Sequence, residues 1–239
     1  MKTLLGIILT LFLSSFAHAK PLFNEYTTSL LEVNNNEGVI QDSADFIVGY
    51  SGVVMHAFDE KTSAIIARFD VIKKENGKAI VRFAPFKMLA QGAFPDTGVK
   101  PAAADKVIVN YLYDRALIIT PNQAVFNDVS KKPLGMTWVH PDIVASYLAE
   151  LYRPNPDKTI FQQACYQNTA SLILFAIKDK GYFVDCNNFN TIATIDVTPS
   201  SEIQVPFYSR IKNVESSWFS WGSSNITDYD SYYTSLIRN

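Results

Sequence analysis

His56 and His140 are the histidines that could act as catalytic bases in this chain of 239 residues. His56 lies in the stretch VVMHAFDEKTS, so a serine–histidine–aspartate set can be drawn with Asp59 and Ser63. Nucleophilic catalysis needs the base beside an exposed nucleophile, and this stretch has no motif that presents a serine in that way. His140 is followed by a proline and is expected to bond to backbone where a helix begins. The sequence therefore predicts no catalytic residue.

The chain offers no complete ligand set for a metal ion and no glycine-rich loop that could hold a phosphate. Structural zinc needs four ligands at suitable spacing, which the scattered histidines and cysteines do not provide. No pair of carboxylates is marked out for sugar hydrolysis. We predict no cofactor and no enzymatic activity, with an enzyme of unrecognised class as an alternative.

Cys165 and Cys186 are the two cysteines of the chain. In an exported protein such a pair is expected to form one disulfide, and a catalytic thiol is the less favoured alternative. The bridge would close a loop of about 20 residues and stabilise the fold by roughly 3 kcal/mol.

Asp114 and Arg115 stand side by side inside the largely apolar stretch VIVNYLYDRALIITPN, residues 107–122. In a strand they would point to opposite faces, and both faces are apolar, which favours a central strand covered on both sides. Each charge would then need its own partner, because an unpaired buried charge costs several kcal/mol. Asp114 and Arg115 are therefore interpreted as structural polar anchors. The alternative is a tight turn at Tyr113 and Asp114, which would leave both charges in solvent.

Residues 1–19 have the three parts of a secretory signal peptide. Lys2 supplies the positive charge, residues 4–16 an apolar run that is short for a membrane helix, and Ala17 and Ala19 a cleavage site. The remaining chain carries 20 basic and 23 acidic side chains, a formal charge of −3 without a basic block. This composition predicts no nucleic-acid partner and no stable membrane insertion after cleavage. We expect a protein of the periplasm or the cell surface.

Residues 20–121 carry short apolar runs separated by turn residues. The KENGK sequence at 74–78 has the Asn-Gly signature of a tight hairpin, and residues 88–106 read as a long surface excursion. The pattern predicts a β-rich domain that resembles a small antiparallel barrel.

Residues 122–200 predict a second, α+β domain, with helices in NQAVFNDVSKK, HPDIVASYLAEL and TIFQQACYQNTA. Ile143, Tyr147 and Leu151 share one face of the second helix. Three short strands in SLILFAI, GYFVDCN and TIATIDV then read as an antiparallel meander, so the fold class is α+β. Residues 201–239 form an aromatic-rich tail that either docks back or offers a partner site through Trp218, Phe219 and Trp221.

Four segments, GYSGVVMHAFDEKTSAIIARFDV, DKVIVNYLYDRALIITPN, WVHPDIVASYLAEL and KGYFVDCNNF, resemble the N-terminal domain of plasminogen-binding surface proteins of helical, flagellated, host-associated bacteria. The resemblance implies capture of host plasminogen through lysine, notably a C-terminal lysine that follows a long charged extension. This chain instead ends with Ile237, Arg238 and Asn239, and its lysine candidates are the internal pairs at 73–74 and 131–132.

The leader, the cysteine pair and the missing catalytic set together predict a non-enzymatic binding or scaffold protein of the bacterial envelope. Its partners would be envelope proteins, for example in a periplasmic assembly such as a flagellar motor. The alternative partner is host plasminogen.

Overall fold

Seven strands in the first half of the chain form one curled antiparallel sheet. The computed structural model describes residues 21–88, 98–151, 153, 155–211 and 226–237. The strands are β1 (Tyr26–Ser29), β2 (Glu32–Asn34), β3 (Glu37–Gln41), β4 (Ser51–Ala57), β5 (Ser63–Glu75), β6 (Lys78–Ala84) and β7 (Lys106–Val109). They are ordered β1-β7-β4-β5-β6-β3-β2, and β1 also comes close to β3, so the sheet curls towards a half-barrel.

The curl depends on local features that the sequence encodes. Asn76 and Gly77 both have positive φ between β5 and β6, which confirms the predicted Asn-Gly hairpin. Two register shifts leave Ile66 and Ile72 of β5 without partners and mark bulges in that strand, which bend it and increase its twist. Gly52 allows β4 and β7 to approach closely, because a Cβ there would lie 2.4 Å from the carbonyl oxygen of Ile108.

A second sheet of five strands follows, in the order β12-β11-β10-β8-β9. Its strands are β8 (Arg115–Ile119), β9 (Thr137–Val139), β10 (Leu172–Ile177), β11 (Lys180–Asp185) and β12 (Thr191–Asp196). The antiparallel meander from β10 to β12 agrees with the sequence, whereas β8 pairs in parallel with both β10 and β9. The α+β fold class is confirmed, with a mixed second sheet.

The interpretation of residues 107–122 as one central strand is wrong, and the alternative of a turn that includes Tyr113 and Asp114 is the one that the structure has. The chain leaves the first sheet at Val109 and enters the second at Arg115 through a turn at 110–114. Asn110 adopts a φ of 61°, and its side-chain amide donates to the carbonyl oxygens of Asn24 and Asp45, both at 2.8 Å. Apolar alternation continues through this turn because both sheets bury their strands, so the pattern does not show the break.

Four helices complete the described fold: α1 (Gln123–Ser130), α2 (Asp142–Leu151), α3 (Lys158–Gln167) and α4 (Tyr229–Ile237). The second sheet lies in the middle of the molecule. One hydrophobic cluster joins its first face to the interior of the curled sheet, and another joins its opposite face to α2, α3 and α4. Both sheets therefore share a core.

The predicted disulfide is present between Cys165 on α3 and Cys186 just after β11. Both half-cystines are fully buried in the cluster under the helices. The bond thus attaches a helix to the second strand of the meander, as the sequence indicated.

The described part of the C-terminal tail packs back onto the second sheet. Tyr229 and Tyr233 of α4 are buried, and Tyr233 stacks on Phe175 of β10 with ring centroids 5.3 Å apart. Helix α4 is a feature that the sequence reading missed, because its stripe is tyrosine rather than aliphatic. Trp218, Phe219 and Trp221 lie outside the described residues.

Candidate functional site

The structure pairs His56 with an aspartate that sequence reasoning did not consider. Nδ1 of His56 lies 2.7 Å from Oδ1 of Asp105, whose other oxygen accepts from the backbone N–H of Ala102. Asp59 instead closes the following turn by accepting from the backbone N–H groups of Lys61 and Thr62, which lower its pKa. His56 thus joins β4 to the segment before β7, and Asp59 has a separate structural task.

His140 lies at the start of α2, as expected from the sequence. Its Nδ1 accepts from the backbone N–H of Asp142 at 3.1 Å, and burial lowers its pKa. The Asp142 carboxylate accepts from the Ser209 hydroxyl, from the Arg210 backbone and from Arg210 Nε at 2.7 Å. This cluster attaches the chain after β12 to α2.

Asp114 and Arg115 have different surroundings. The side chain of Asp114 is exposed, and its backbone carbonyl accepts from Thr137 N–H at 2.7 Å. Arg115 is partly buried, and its Nε has no hydrogen-bond partner among the described residues. The two charges do not form an ion pair with each other among the described contacts.

A buried polar network connects the two sheets, and the sequence reading did not identify it. The carboxylate of Asp185, at the end of β11, accepts from Ser51 Oγ at 2.5 Å and from the Tyr113 hydroxyl at 2.7 Å. Its other oxygen accepts from the backbone N–H groups of Asn187 and Asn188. The three side chains Ser51, Tyr113 and Asp185 are each less than a tenth exposed, so a substrate could not reach this carboxylate. The lone acid in the buried strand sequence YFVD was the available signal.

The pKa of Asp185 is raised because the carboxyl is completely buried. The four hydrogen bonds that it accepts act in the opposite direction and offset part of this shift. The pKa of Tyr113 is raised well above its usual value for the same reason, with a further contribution from the Asp185 charge. A network of this kind supports the architecture and has no access for chemistry.

An open groove of about 660 Å³ lies next to this network. One wall is the end of β6 with the residues after it, including Lys87, and the other is the outer face of α3, including Gln163 and Tyr166. Arg68 and Asn187 complete the lining at the junction between the sheets. The volume is within the usual range for ligand sites, so this groove is the candidate functional site.

A bidentate ion pair with Asp70 fixes the Arg68 side chain that lines the groove. Arg68 donates to both oxygens of Asp70, at 3.0 and 3.2 Å, and the Asn188 side chain donates to the same carboxylate at 3.0 Å. Asn188 also donates to the carbonyl oxygen of Gly49. Because Asn188 in turn donates to Asp185 from its backbone, the network and the groove are one connected structure.

The described part of the chain has neither a metal-ligand cluster nor a membrane-spanning helix. There, no group of three or more histidine, cysteine, aspartate or glutamate side chains could hold a metal ion. None of the described helices is both long enough and apolar enough to span a bilayer.

The described residues define an α+β protein in which a curled sheet, a mixed sheet and a helical layer meet at an open polar groove. A family model described as "Plasminogen-binding protein pgbA N-terminal" matches residues 25–237. The chain belongs to this family, as its four quoted segments indicated.

Two relatives support the assignment. Both are described as "Plasminogen-binding protein PgbA", one from Helicobacter pylori strain J99 and one from strain 26695. Each is 20% identical over 245 residues, which cover 100% of this chain and 53% or 52% of the relative. The chain therefore spans about half the length of the curated relatives it matches. No solved structure matches it.

Proposed function

We propose that this chain is a non-enzymatic protein-binding module of the bacterial surface, with host plasminogen as its partner. The observation that carries the proposal is the family match over residues 25–237, to which two relatives named for plasminogen binding belong. The local structure supports it, because His56, Asp59 and His140 all serve in structural contacts. The comparisons do not support a role in a periplasmic flagellar scaffold.

A partner from the host is met only outside the cytoplasm, so this function requires export to the cell surface. The disulfide between Cys165 and Cys186 supports this location, since such bonds persist mainly in oxidising compartments. The leader predicted at residues 1–19 lies outside the described residues and remains a prediction.

Lysine-dependent capture requires an ammonium group that a partner can enclose. Lys74 does not meet this requirement, because its Nζ is bound by Asp42 and by the carbonyl oxygens of Ser43 and Phe46. Lys132 pairs with Asp128 at 3.6 Å. The remaining members of the two predicted pairs, Lys73 and Lys131, are exposed.

Lys73 and Lys131 are therefore our candidates for the lysine-dependent contact. Lys73 pairs with Glu75, but both side chains are exposed, and pairs of that kind contribute little and open readily. Among the described contacts, Lys131 uses only its backbone, as the C-cap of α1.

Surface plasmon resonance with immobilised plasminogen tests the proposal. Wild type should bind, a lysine analogue should compete, and Lys73→Ala/Lys131→Ala should weaken binding about tenfold. The matched control is Lys61→Ala/Lys178→Ala, which removes two other exposed lysines from turns and should bind like wild type.

The possible failures have different meanings. Absence of wild-type binding would refute plasminogen as the partner. Binding that the lysine analogue leaves unchanged would refute the lysine-dependent mode, and equal weakening in both double variants would refute Lys73 and Lys131 as its specific contacts.

A further inference from the structure

The outer face of α2 carries a row of apolar side chains, which we call the α2 stripe. Its members are Ile143, Tyr147 and Leu151, which follow one another at intervals of four residues and therefore share one face of the helix. Ile143 is 41% exposed and Leu151 40% exposed. Tyr147 lies between them, half-buried, and its hydroxyl bonds to Gln163 on α3. The stripe is thus an apolar surface at the outside of the helical layer.

The chain that follows β12 is attached at the first turn of α2. The Asp142 carboxylate accepts from the Ser209 hydroxyl and from both the backbone and the side chain of Arg210. Ile211 then donates its backbone N–H to Ser209 Oγ and packs partly on the cluster under the helices. The described chain therefore stops, at Ile211, beside the N-terminal end of α2.

The described chain resumes at the opposite end of the same helix. The backbone N–H of Ile226 donates to Oδ1 of Asn155 at 3.2 Å, and the Tyr232 hydroxyl donates to the carbonyl oxygen of Pro156 at 2.9 Å. Asn155 and Pro156 lie just beyond the C-terminal end of α2. Residues 212–225 therefore connect the two ends of α2.

Residues 212–225 have a length and a composition that suit the α2 stripe. A helix of 10 residues is about 15 Å long, and 14 residues can span up to about 45 Å, so the segment is long enough to follow the helix. Its aromatic residues are Trp218, Phe219 and Trp221, which lie near its middle among serine, glycine and charged residues. A path along α2 would bring these rings opposite the stripe.

We propose that the aromatic residues of segment 212–225 pack on the α2 stripe of the same molecule. Three rings supply a large apolar area, which matches the exposed aliphatic side chains of the stripe. Because the chain is held at both ends of α2, this contact is intramolecular and has a high effective concentration. A second molecule would have to reach the stripe without that advantage. Trp218, Phe219 and Trp221 are then internal contacts of the helical layer and not a partner site.

Fluorine NMR of the exported chain labelled with 5-fluorotryptophan tests this inference. Single Trp→Phe variants assign the resonances of Trp138, Trp218 and Trp221. The shift between H₂O and D₂O should be about half that of free 5-fluorotryptophan or less for Trp218 and Trp221, because docked rings lose contact with water. Ile143→Ser/Leu151→Ser should raise both shifts towards the free value. The half-buried Trp138 of β9 should not change, which shows that the variant is folded.

The matched control is Ile47→Ser/Val48→Ser. It removes two apolar side chains, each 52% exposed, from the loop before β4, and all three isotope shifts should stay as in wild type. Three results would overturn the inference. Full isotope shifts of Trp218 and Trp221 in wild type would leave both rings open to an outside partner, and equal changes in the two double variants would refute the α2 stripe as their contact. Isotope shifts that fall as the protein concentration rises would assign the stripe to a second copy of the chain.

Discussion

Lys73 and Lys74 are neighbours on β5, but their side chains leave opposite faces of the strand. Lys74 forms an ion pair with Asp42 at 2.6 Å, donates to two backbone carbonyls and lies 4.5 Å above the ring of Phe46. It attaches the loop before β4 to the sheet. Within the described part of the chain, the ion pair of Lys73 is an exposed one with Glu75. Sequence alone treats the two lysines as equivalent.

Lys74→Met should lower the free energy of unfolding by about 2–3 kcal/mol, because two carbonyl groups and one carboxylate lose their charged donor. Urea denaturation measures this change. Lys73→Met is the matched control and should stay within about 0.5 kcal/mol of wild type. Equal effects of the two substitutions would contradict the anchoring role of Lys74.

The buried carboxyl of Asp185 should give the stability of the fold an unusual dependence on pH. Its pKa in the folded protein is raised above the ordinary value of 3.8, so the folded state binds this proton more tightly than the unfolded chain does. The resulting stabilisation is present below the ordinary pKa and is lost as the pH rises through the raised one. Relative to Asp185→Asn, wild type should therefore gain stability as the pH falls from about 7 to about 4.

Urea unfolding at a series of pH values provides the measurement, and Asp59→Asn provides the control. The pKa of Asp59 is lowered by its turn hydrogen bonds, so its stabilisation is present above the ordinary value and is lost on acidification. The two variants should therefore differ from wild type with opposite pH slopes, at Asp185 from about pH 7 to about 4 and at Asp59 below about pH 4. A slope of the same sign for both would show that hydrogen bonding, and not burial, dominates at Asp185.

At the scale of elements, the sequence indicated most strands and helices, namely those marked by clear turn residues and a regular apolar pattern. The Asn-Gly hairpin and the meander were identified because turn residues and alternation agree. The stretch at 107–122 was misread because tertiary burial hides its turn. On α2 the buried residues are Val144, Ala145 and Leu148, while Ile143 and Leu151 are exposed. Helical periodicity shows which residues share a face of the helix, but it does not show which face packs against the rest of the protein.

The groove could not be predicted because its two walls come from residues about 80 positions apart, which only the folded sheets bring together. Arg68 and Lys87 look like ordinary strand and loop charges in the sequence. Gln163 and Asn187 carry no motif. Only tertiary structure shows that these side chains share a surface without a carboxylate among its described lining residues.

The disulfide joins two elements, and its removal gives the prediction at this scale. Cys165→Ala/Cys186→Ala should lower the free energy of unfolding by roughly 3 kcal/mol, because the unfolded chain regains the freedom of a loop of about 20 residues. Urea denaturation with and without a reductant measures this. Reductant should destabilise wild type and leave the double variant unchanged. A loss below about 1 kcal/mol would contradict a stabilising role.

At the scale of the whole molecule, both sheets contribute to one hydrophobic cluster. It includes Val54 and Phe69 of the first sheet and Ile118 and Phe183 of the second. The network of Ser51, Tyr113 and Asp185 crosses the same junction. Sheets that share a core in this way are expected to unfold together. Residues 20–121 and 122–200, although distinct in sequence pattern, should therefore behave as one cooperative unit.

Hydrogen exchange measured by mass spectrometry at increasing urea concentrations tests this cooperativity. Peptides from β5–β6 and from β10–β11 should lose protection at the same urea concentration in wild type. Tyr113→Phe should lower the free energy of unfolding by about 1–2 kcal/mol and both midpoints together, because Asp185 loses a donor and the Ser51 N–H loses its acceptor. Tyr147→Phe, which removes an exposed hydroxyl bond to Gln163, should leave both midpoints nearly unchanged. Separate midpoints for the two sheets would show instead that the shared cluster does not couple them and that each half folds as its own domain.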